Sequence, residues 1–366
     1  MKIVCLQENL KNSISHLERI ASKNQSTPIL NNILLKTGDG SLILFTTNLE
    51  LGLHMRVPCK VERKGELVVP IKSISYFIQN LPNMKITIEE KEKNILIEAE
   101  NIKTTIPTVN KNEFPLIPKL KNEHIIKINP TTFKTALTQV LNSVAVSHSI
   151  SEISGIFFNF KDDVLKIAST DSFRLSEKTI YKKKEYQSTQ PHSFILPQKT
   201  AQELTHLIEQ EDQIIISIEQ NQIGFTFENG VLTSRLISGT YPNYEQIIPK
   251  TTKTKFILNK SELISKVKLA SAFASKLNSV YFTVHAKKGI VEIKSSDETK
   301  GEFTSIIHTE VSGENTEAAF NYKYILDGLS NIFEDEVVCE LNGPSAPASL
   351  IPKNNNYRYV LMPIKI

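Results

Sequence analysis

The chain has 366 residues, 40% of them hydrophobic and 22% charged, with no Trp; these are the proportions of an ordinary globular protein long enough for two or three domains. Its 43 basic and 39 acidic residues leave a net charge of +4, too mild to require a nucleic-acid partner and compatible with one if the lysines gather on one face. No apolar run approaches the roughly 18 residues of a membrane-spanning helix, and MKIVCLQENL turns polar too early for a secretory signal, so the cytoplasm is the expected compartment. Cys5, Cys59 and Cys339 are far apart and odd in number, without CxxC or metal-ligand spacing. Reduced, buried thiols are expected, with no cofactor and no metal.

From the N-terminus, KIVCLQENLKNSISHLERI reads as a strand followed by an amphipathic helix. The alternating strand LILFTTN runs into a hydroxyl-rich turn, ELVVPIKSISYFIQNL gives a short strand and a second helix, and KITIEE, NILIEAE and KTTIPT are further strands. Asn110 to Lys121, rich in Pro, Asn and Lys, reads as a linker. The order then restarts with IIKINPTTFKTALTQVLNSV, LKIASTD, SFILPQKTAQELTHLI and the strands QIIISIE, QIGFTF and VLTSRLIS. After a second linker, Pro249 to Lys255, it restarts again with KFILNKSELISKVKLASAF, VEIKSSD and AAFNYKYILDGLSNIF. VVCELN, residues 345 to 351 interrupted by Pro347, and YRYVLMPIKI complete it.

Setting Ile3, Ile126 and Phe256 in register brings together Leu10, Phe133 and Leu263, then Ile14, Leu137 and Val267. That four-residue step is the apolar stripe of a helix lying on a sheet. The expected architecture is three similar α+β domains, each with two helices on one side and antiparallel sheets outside. Their expected bounds are residues 1–122, 123–253 and 254–366.

In the same register Asn48, Asp171 and Asp297 coincide at the hydroxyl-rich turn. Asn and Asp accept turn conformations and hydrogen-bond their own main chain, so Asp171 is read mainly as a turn residue. No phosphate loop, HExxH or GxSxG is present. Asp162 and Asp163 sit in a hairpin turn matching TGDG at 37–40, and no catalytic residue is expected.

Lys72, Lys199 and Lys323 fall at one position, in the first turn of each second helix. The helix dipole disfavours a cation there. Two readings stand: descent from a common ancestor with tolerant surfaces, or three lysines facing the same polyanion.

The three units, with STPIL (26–30), TTNLE (46–50), NEFPLI (112–117), STDSFRLS (169–176), TYPNYEQIIPK (240–250), FNYKYILDGL (320–329) and YVLMPIKI (359–366), make the chain resemble the bacterial DNA polymerase III β subunits, the sliding clamps. The resemblance implies a head-to-tail homodimer, a six-domain ring lined by helices through which duplex DNA passes without sequence readout, and a processivity role. Its DNA-facing candidates are Lys72, Lys199 and Lys323, then Lys11, Lys23, Lys134, His148 and Lys266. A binding module that never encircles DNA is the alternative, and retention on circular DNA separates the two.

The resemblance also implies an apolar pocket for a short peptide of the polymerase III catalytic subunit, the clamp loader and repair proteins. Carried over by position, it comprises Ile153, Thr170, Ser172, Phe173, Arg174, Leu175, Pro242, Gln246, Ile247, Pro344, Ala346, Val360, Met362 and Pro363. Phe173, Leu175 and Met362 are expected to be partly exposed there. Ser172-Phe173 stands where the family commonly has Gly-His, which bears on peptide preference. Ring closure is expected to bring Lys103 and Ile106 of one chain to Phe273, Asp297, Glu298 and Glu302 of another.

Overall fold

The strand-to-helix repeat is present three times. Lys2–Leu6 leads into the helix Gln7–Ile20, His124–Ile128 into Pro130–Leu141, and Thr254–Asn259 into Lys260–Ser271. All nine residues placed in register by the sequence are buried: Ile3, Ile126 and Phe256; Leu10, Phe133 and Leu263; Ile14, Leu137 and Val267. Each such side chain withdrawn from water contributes roughly 1.5–3 kcal/mol, which is why the helices lie where the stripe directs. The second helices are Ile71–Asn80, Gln198–Leu207 and Tyr322–Ser330. Asn259 and Asn321 start their helices by accepting from the backbone N–H of Glu262 and of Lys323, each at 3.0 Å.

The computed structural model describes residues 1–21, 27–115, 124–146, 151–188, 191–208, 212–353 and 356–365. Lys23, His148 and most of the expected first linker lie outside the described residues. No described helix is long and apolar enough to cross a membrane.

The chain packs as two units. The first comprises Met1–Thr131, Tyr186–Thr189 and Gln202–Leu236. It holds a five-stranded sheet that ends on Ile102–Pro107 and a nine-stranded sheet, both antiparallel. In the larger sheet Gly230–Arg235 pairs with Leu51–Pro58, setting Leu232 opposite Leu53. The second unit comprises Thr132–Glu185, Gln190–Ala201 and Ile237–Ile366. Its nine-stranded sheet joins Arg174–Tyr181 to Tyr357–Leu361 with Leu175 opposite Val360. Its four-stranded sheet runs from Gly301–His308 to Thr316–Asn321. The segment 123–253 therefore gives strands to both units.

Pro347 acts as the sequence suggests. The strand Ala348–Pro352 begins directly after it, because proline cannot donate to a ladder. In the second unit the helix Tyr322–Ser330 sits flush on the C-terminal strand. A Cβ at Gly328 would lie 2.4 Å from the Tyr359 ring, so only glycine lets helix and strand approach this closely.

Candidate partner-binding site

The turn Thr170–Arg174 is built by its own side chains. Thr170 Oγ1 accepts from the N–H of Ser172 at 3.1 Å and donates to the carbonyl of Arg174 at 2.7 Å. Asp171 Oδ1 accepts from the N–H of Phe173 and of Arg174, at 3.0 and 2.9 Å. The first repeat has the same construction. Thr47 Oγ1 accepts from Leu49 N–H and donates to the carbonyl of Leu51, while Asn48 Oδ1 accepts from Glu50 and Leu51 N–H. Ser172 and Leu49 take left-handed backbone at φ 75° and 76°. Asp297 accepts from the N–H and hydroxyl of Thr299. All three coincident residues are turn residues, as the sequence indicates for Asp171.

What the second repeat adds is Phe173-Arg174. The backbone of Phe173 is clamped from both sides, its N–H by Asp171 and its carbonyl by the N–H of Met362 at 2.9 Å. The residue is 60% exposed. Arg174 turns the other way, into the protein. Its Nε donates to Asp171 Oδ2 at 2.9 Å, its Nη1 to Asp327 Oδ2, and its guanidinium lies 4.4 Å from the centre of the Tyr324 ring. Tyr359 donates its hydroxyl to the carbonyl of Tyr324. Arg174 thus fixes the turn to itself through Asp171 and to the helix Tyr322–Ser330 through Asp327 and Tyr324.

Beneath this turn, Leu175, Ile153 and Val360 pack with Ala145, Ala168, Ile195, Tyr241 and Tyr244 in one buried cluster. Leu175 is only 1% exposed. The expectation of partial exposure is therefore corrected for Leu175, because its strand position opposite Val360 turns it to the core face. Thr170, Ile153 and Val360 are buried as well. Phe173, Ser172, Pro242, Gln246 and Ile247 are exposed, and Met362 and Pro363 are half-buried.

Tyr241 and Tyr244 hold the neighbouring loop down. Tyr241 stacks on Phe157 with centroids 4.9 Å apart, and the Tyr244 hydroxyl donates to Glu177 at 2.7 Å. Burial, and then the Glu177 carboxylate, push the Tyr244 phenol up, so it remains a donor. Pro242, Gln246 and Ile247 are left facing outward between and beyond the two rings. Pro344 lines a different hollow with Lys253 and Thr254, and Ala346 lies just before Ala348, which faces Leu361. Tyr324, Asp327, Tyr241 and Tyr244 were not among the sequence-derived candidates. Their signal in the sequence was that FNYKYILDGL and TYPNYEQIIPK carry the family resemblance alongside STDSFRLS.

Lys72, Lys199 and Lys323 each occupy the second position of their helix and each is exposed. Lys11 is exposed and Lys134 half-buried. Lys266 is bound within the protein, donating to Ser305 Oγ and the carbonyl of Ile306, both at 3.0 Å. It therefore does not stand free toward an outside anion. Lys103 is exposed on Ile102–Pro107 and pairs with Glu98 at 2.6 Å. Ile106 is buried opposite Ile95, so the strand turns its side chain inward. Phe273 stacks on Phe303, and Glu298 and Glu302 are exposed. Among the described residues no group of three or more His, Cys, Asp or Glu is placed to hold a metal ion.

Comparison with known families accounts for this order of elements. The DNA polymerase III beta subunit N-terminal domain matches residues 1–118, its central domain 127–243 and its C-terminal domain 245–365. The chain belongs to the DNA polymerase III beta subunit family. Beta sliding clamps of Rickettsia felis and Haemophilus influenzae are 26% and 25% identical to it, each match covering 100% of both chains. The solved sliding clamp of Pseudomonas aeruginosa bound to griselimycin superposes with a TM-score of 0.95 at 23% identity over 100% of each chain. That of Bacillus subtilis gives 0.94 at 21% identity over 100% of this chain and 99% of its own. The fold is the three-domain DNA clamp, α+β with antiparallel sheets. This beta-subunit family is an accessory processivity factor without catalytic activity, in keeping with a turn whose one carboxylate, that of Asp171, is spent on its own backbone and on Arg174.

Proposed function

We propose that two copies of the chain close head to tail into a six-domain ring that encircles duplex DNA and tethers the replicative polymerase to it. The observation that supports this reading is that, among the described residues, two of the sheets end on long strands with no further strand beyond them. Ile102–Pro107 ends one sheet and Gly301–His308 ends another. An exposed edge is a template for pairing, and edge-to-edge pairing between two copies uses both edges twice in a closed two-fold arrangement. Phe273, Ile306 and Ile102 supply apolar surface beside the edges, with Glu298 and Glu302 flanking them. Within each chain the domains run 1–122, 123–253 and 254–366.

The pore-facing groups in this reading are the exposed Lys72, Lys199 and Lys323, with Lys11. Lysines on flexible stems at helix starts meet phosphates without reading bases, as sliding requires. The Phe173–Met362 surface, flanked by Pro242, Gln246 and Ile247 and floored by Leu175, Ile153 and Val360, takes short peptides of the polymerase, the clamp loader and repair proteins. The compartment is the cytoplasm, where replication takes place in bacteria. Sedimentation and retention on DNA test the reading together. A dimer that stays on circular DNA and leaves once the circle is cut supports it, and a persistent monomer at micromolar concentration overturns it.

A further inference from the structure

The strand Thr316–Asn321 is an outer strand of the four-stranded sheet, paired on one side with Ser279–His285. In an antiparallel ladder the N–H and C=O of one residue point the same way and successive residues alternate. Ala319 turns its carbonyl away from the sheet, where it accepts from the N–H of Ile364 at 2.7 Å. Glu317, two residues earlier, therefore also directs its backbone N–H and C=O outward. Both face a hollow of 520 Å³ bounded by Lys253, Glu314, Asn315, Asn342 and Pro344.

The walls of this hollow are already set. Asn342 Oδ1 accepts from Lys253 N–H, Thr254 Oγ1 donates to the carbonyl of Glu314, and Asn315 Oδ1 accepts from Ala286 N–H. Glu314 and Glu317 are exposed and outnumber the single cation, Lys253. Two segments lead from the hollow toward the proposed peptide surface: Pro344, which the resemblance carries to the pocket by position, lines the hollow, and Ile364, bonded to Ala319 on the same strand, follows Met362 and Pro363 directly.

We propose that this edge extends the partner site, taking the extended basic flank of a client peptide as an added strand along Thr316–Ala318, with its Lys or Arg side chains against Glu314 and Glu317. Main-chain hydrogen bonds to Glu317 give the flank its register and the two carboxylates select its charge. The assignment rests on the Phe173–Met362 surface being a peptide site.

The test is fluorescence anisotropy with a labelled clamp-binding peptide of the polymerase, alone and with a Lys-Val-Lys-Val or Glu-Val-Glu-Val flank at either end. One lysine-flanked peptide binds about tenfold more tightly than the bare peptide, and the glutamate flank gives no gain. Glu317→Pro removes the outward N–H without touching the ladder to Ser279–His285, and it abolishes the gain while leaving the bare peptide unaffected. The double variant Glu314→Lys/Glu317→Lys does the same through charge and covers the case in which the proline disturbs folding. Equal binding of bare and flanked peptides, or a gain that survives both variants, overturns the extension alone. Failure of the bare peptide to bind overturns the peptide surface itself.

Discussion

Met362 donates its backbone N–H to the carbonyl of Phe173 at 2.9 Å, tying the end of the C-terminal strand to the turn that follows Val164–Thr170. A large ring is thereby held in solvent on a backbone that cannot retreat. We expect Phe173→Ala with Met362→Ala to leave the melting temperature almost unchanged, since Phe173 is exposed and Met362 half-buried, and to weaken peptide binding by 2 kcal/mol or more, the scale of about one hot spot. Leu175→Ala behaves oppositely. At 1% exposure its truncation costs about 2–5 kcal/mol of stability. Denaturant melts and peptide titration on the same samples separate the two, and a large stability loss in the Phe173/Met362 pair would place those side chains in the core.

Arg174 joins the turn to Asp327 and Tyr324. Its side chain is 12% exposed and that of Asp327 43%. The solvent at Asp327 weakens the ion pair, so Asp327→Asn costs about 1 kcal/mol or less, whereas Arg174→Ala also uncovers Asp171 and costs about 2 kcal/mol or more. A double-mutant cycle by urea unfolding reads the coupling. Additive losses would mean that the contact contributes nothing to the link between turn and helix.

The parts of this arrangement legible in the sequence were the local ones. The coincidence of Asn48, Asp171 and Asp297 gave the turn because side-chain capping is a short-range rule, and the buried helix stripe followed from period alone. The direction of Arg174 was not legible, since Asp327, the partner that draws it to the helix, lies 153 residues further on. Nor was the inward face of Ile106 and Leu175. A strand's alternation says which residues share a face, but which face is buried depends on what packs against it. The binding of Lys266 to Ser305 and Ile306 was invisible for the same reason. Helix and edge strand meet only in the fold.

The thiols differ in burial, and their chemistry follows. Burial, with a smaller contribution from Cys59, pushes the Cys5 thiol up to about 12. Burial and then Glu340 push Cys339 up to about 12. Cys59 is raised by burial but is only half-buried. Because the thiolate is the reactive form, iodoacetamide near pH 8 should modify Cys59 first and reach Cys5 and Cys339 only on unfolding. Peptide mass spectrometry gives the order, and early labelling of Cys339 would contradict it.

Ring closure calls for a different pair of substitutions from the one the sequence suggests. Ile106→Asp would bury a carboxylate opposite Ile95 and unfold its sheet. Ile306 is 46% exposed on the edge strand and Phe273 stands over Phe303. Phe273→Asp with Ile306→Asp should therefore give folded monomers, seen as an unchanged circular dichroism spectrum with half the sedimenting mass. A dimer that persists on dilution would move the interface elsewhere.

Lys72, Lys199 and Lys323 are exposed at the second position of their helices, where the dipole opposes a cation by a few tenths of a kcal/mol. Alanine is the better helix former, so replacing all three should leave stability unchanged or slightly raised. DNA binding should respond in the other direction. A two-chain ring loses six positive charges, three positions in each of two chains, and each phosphate contact contributes about −0.9 to the slope of log K against log salt. The slope should therefore flatten by up to about 5 if every lysine meets a phosphate. Lys60→Ala, Lys161→Ala and Lys287→Ala remove the same charge from exposed sites outside the α-helices and should leave the slope nearly as it was. Equal flattening by both triples would mean that only net charge matters. No flattening by the helix triple would leave the coincident lysines as inherited surface with no DNA to face.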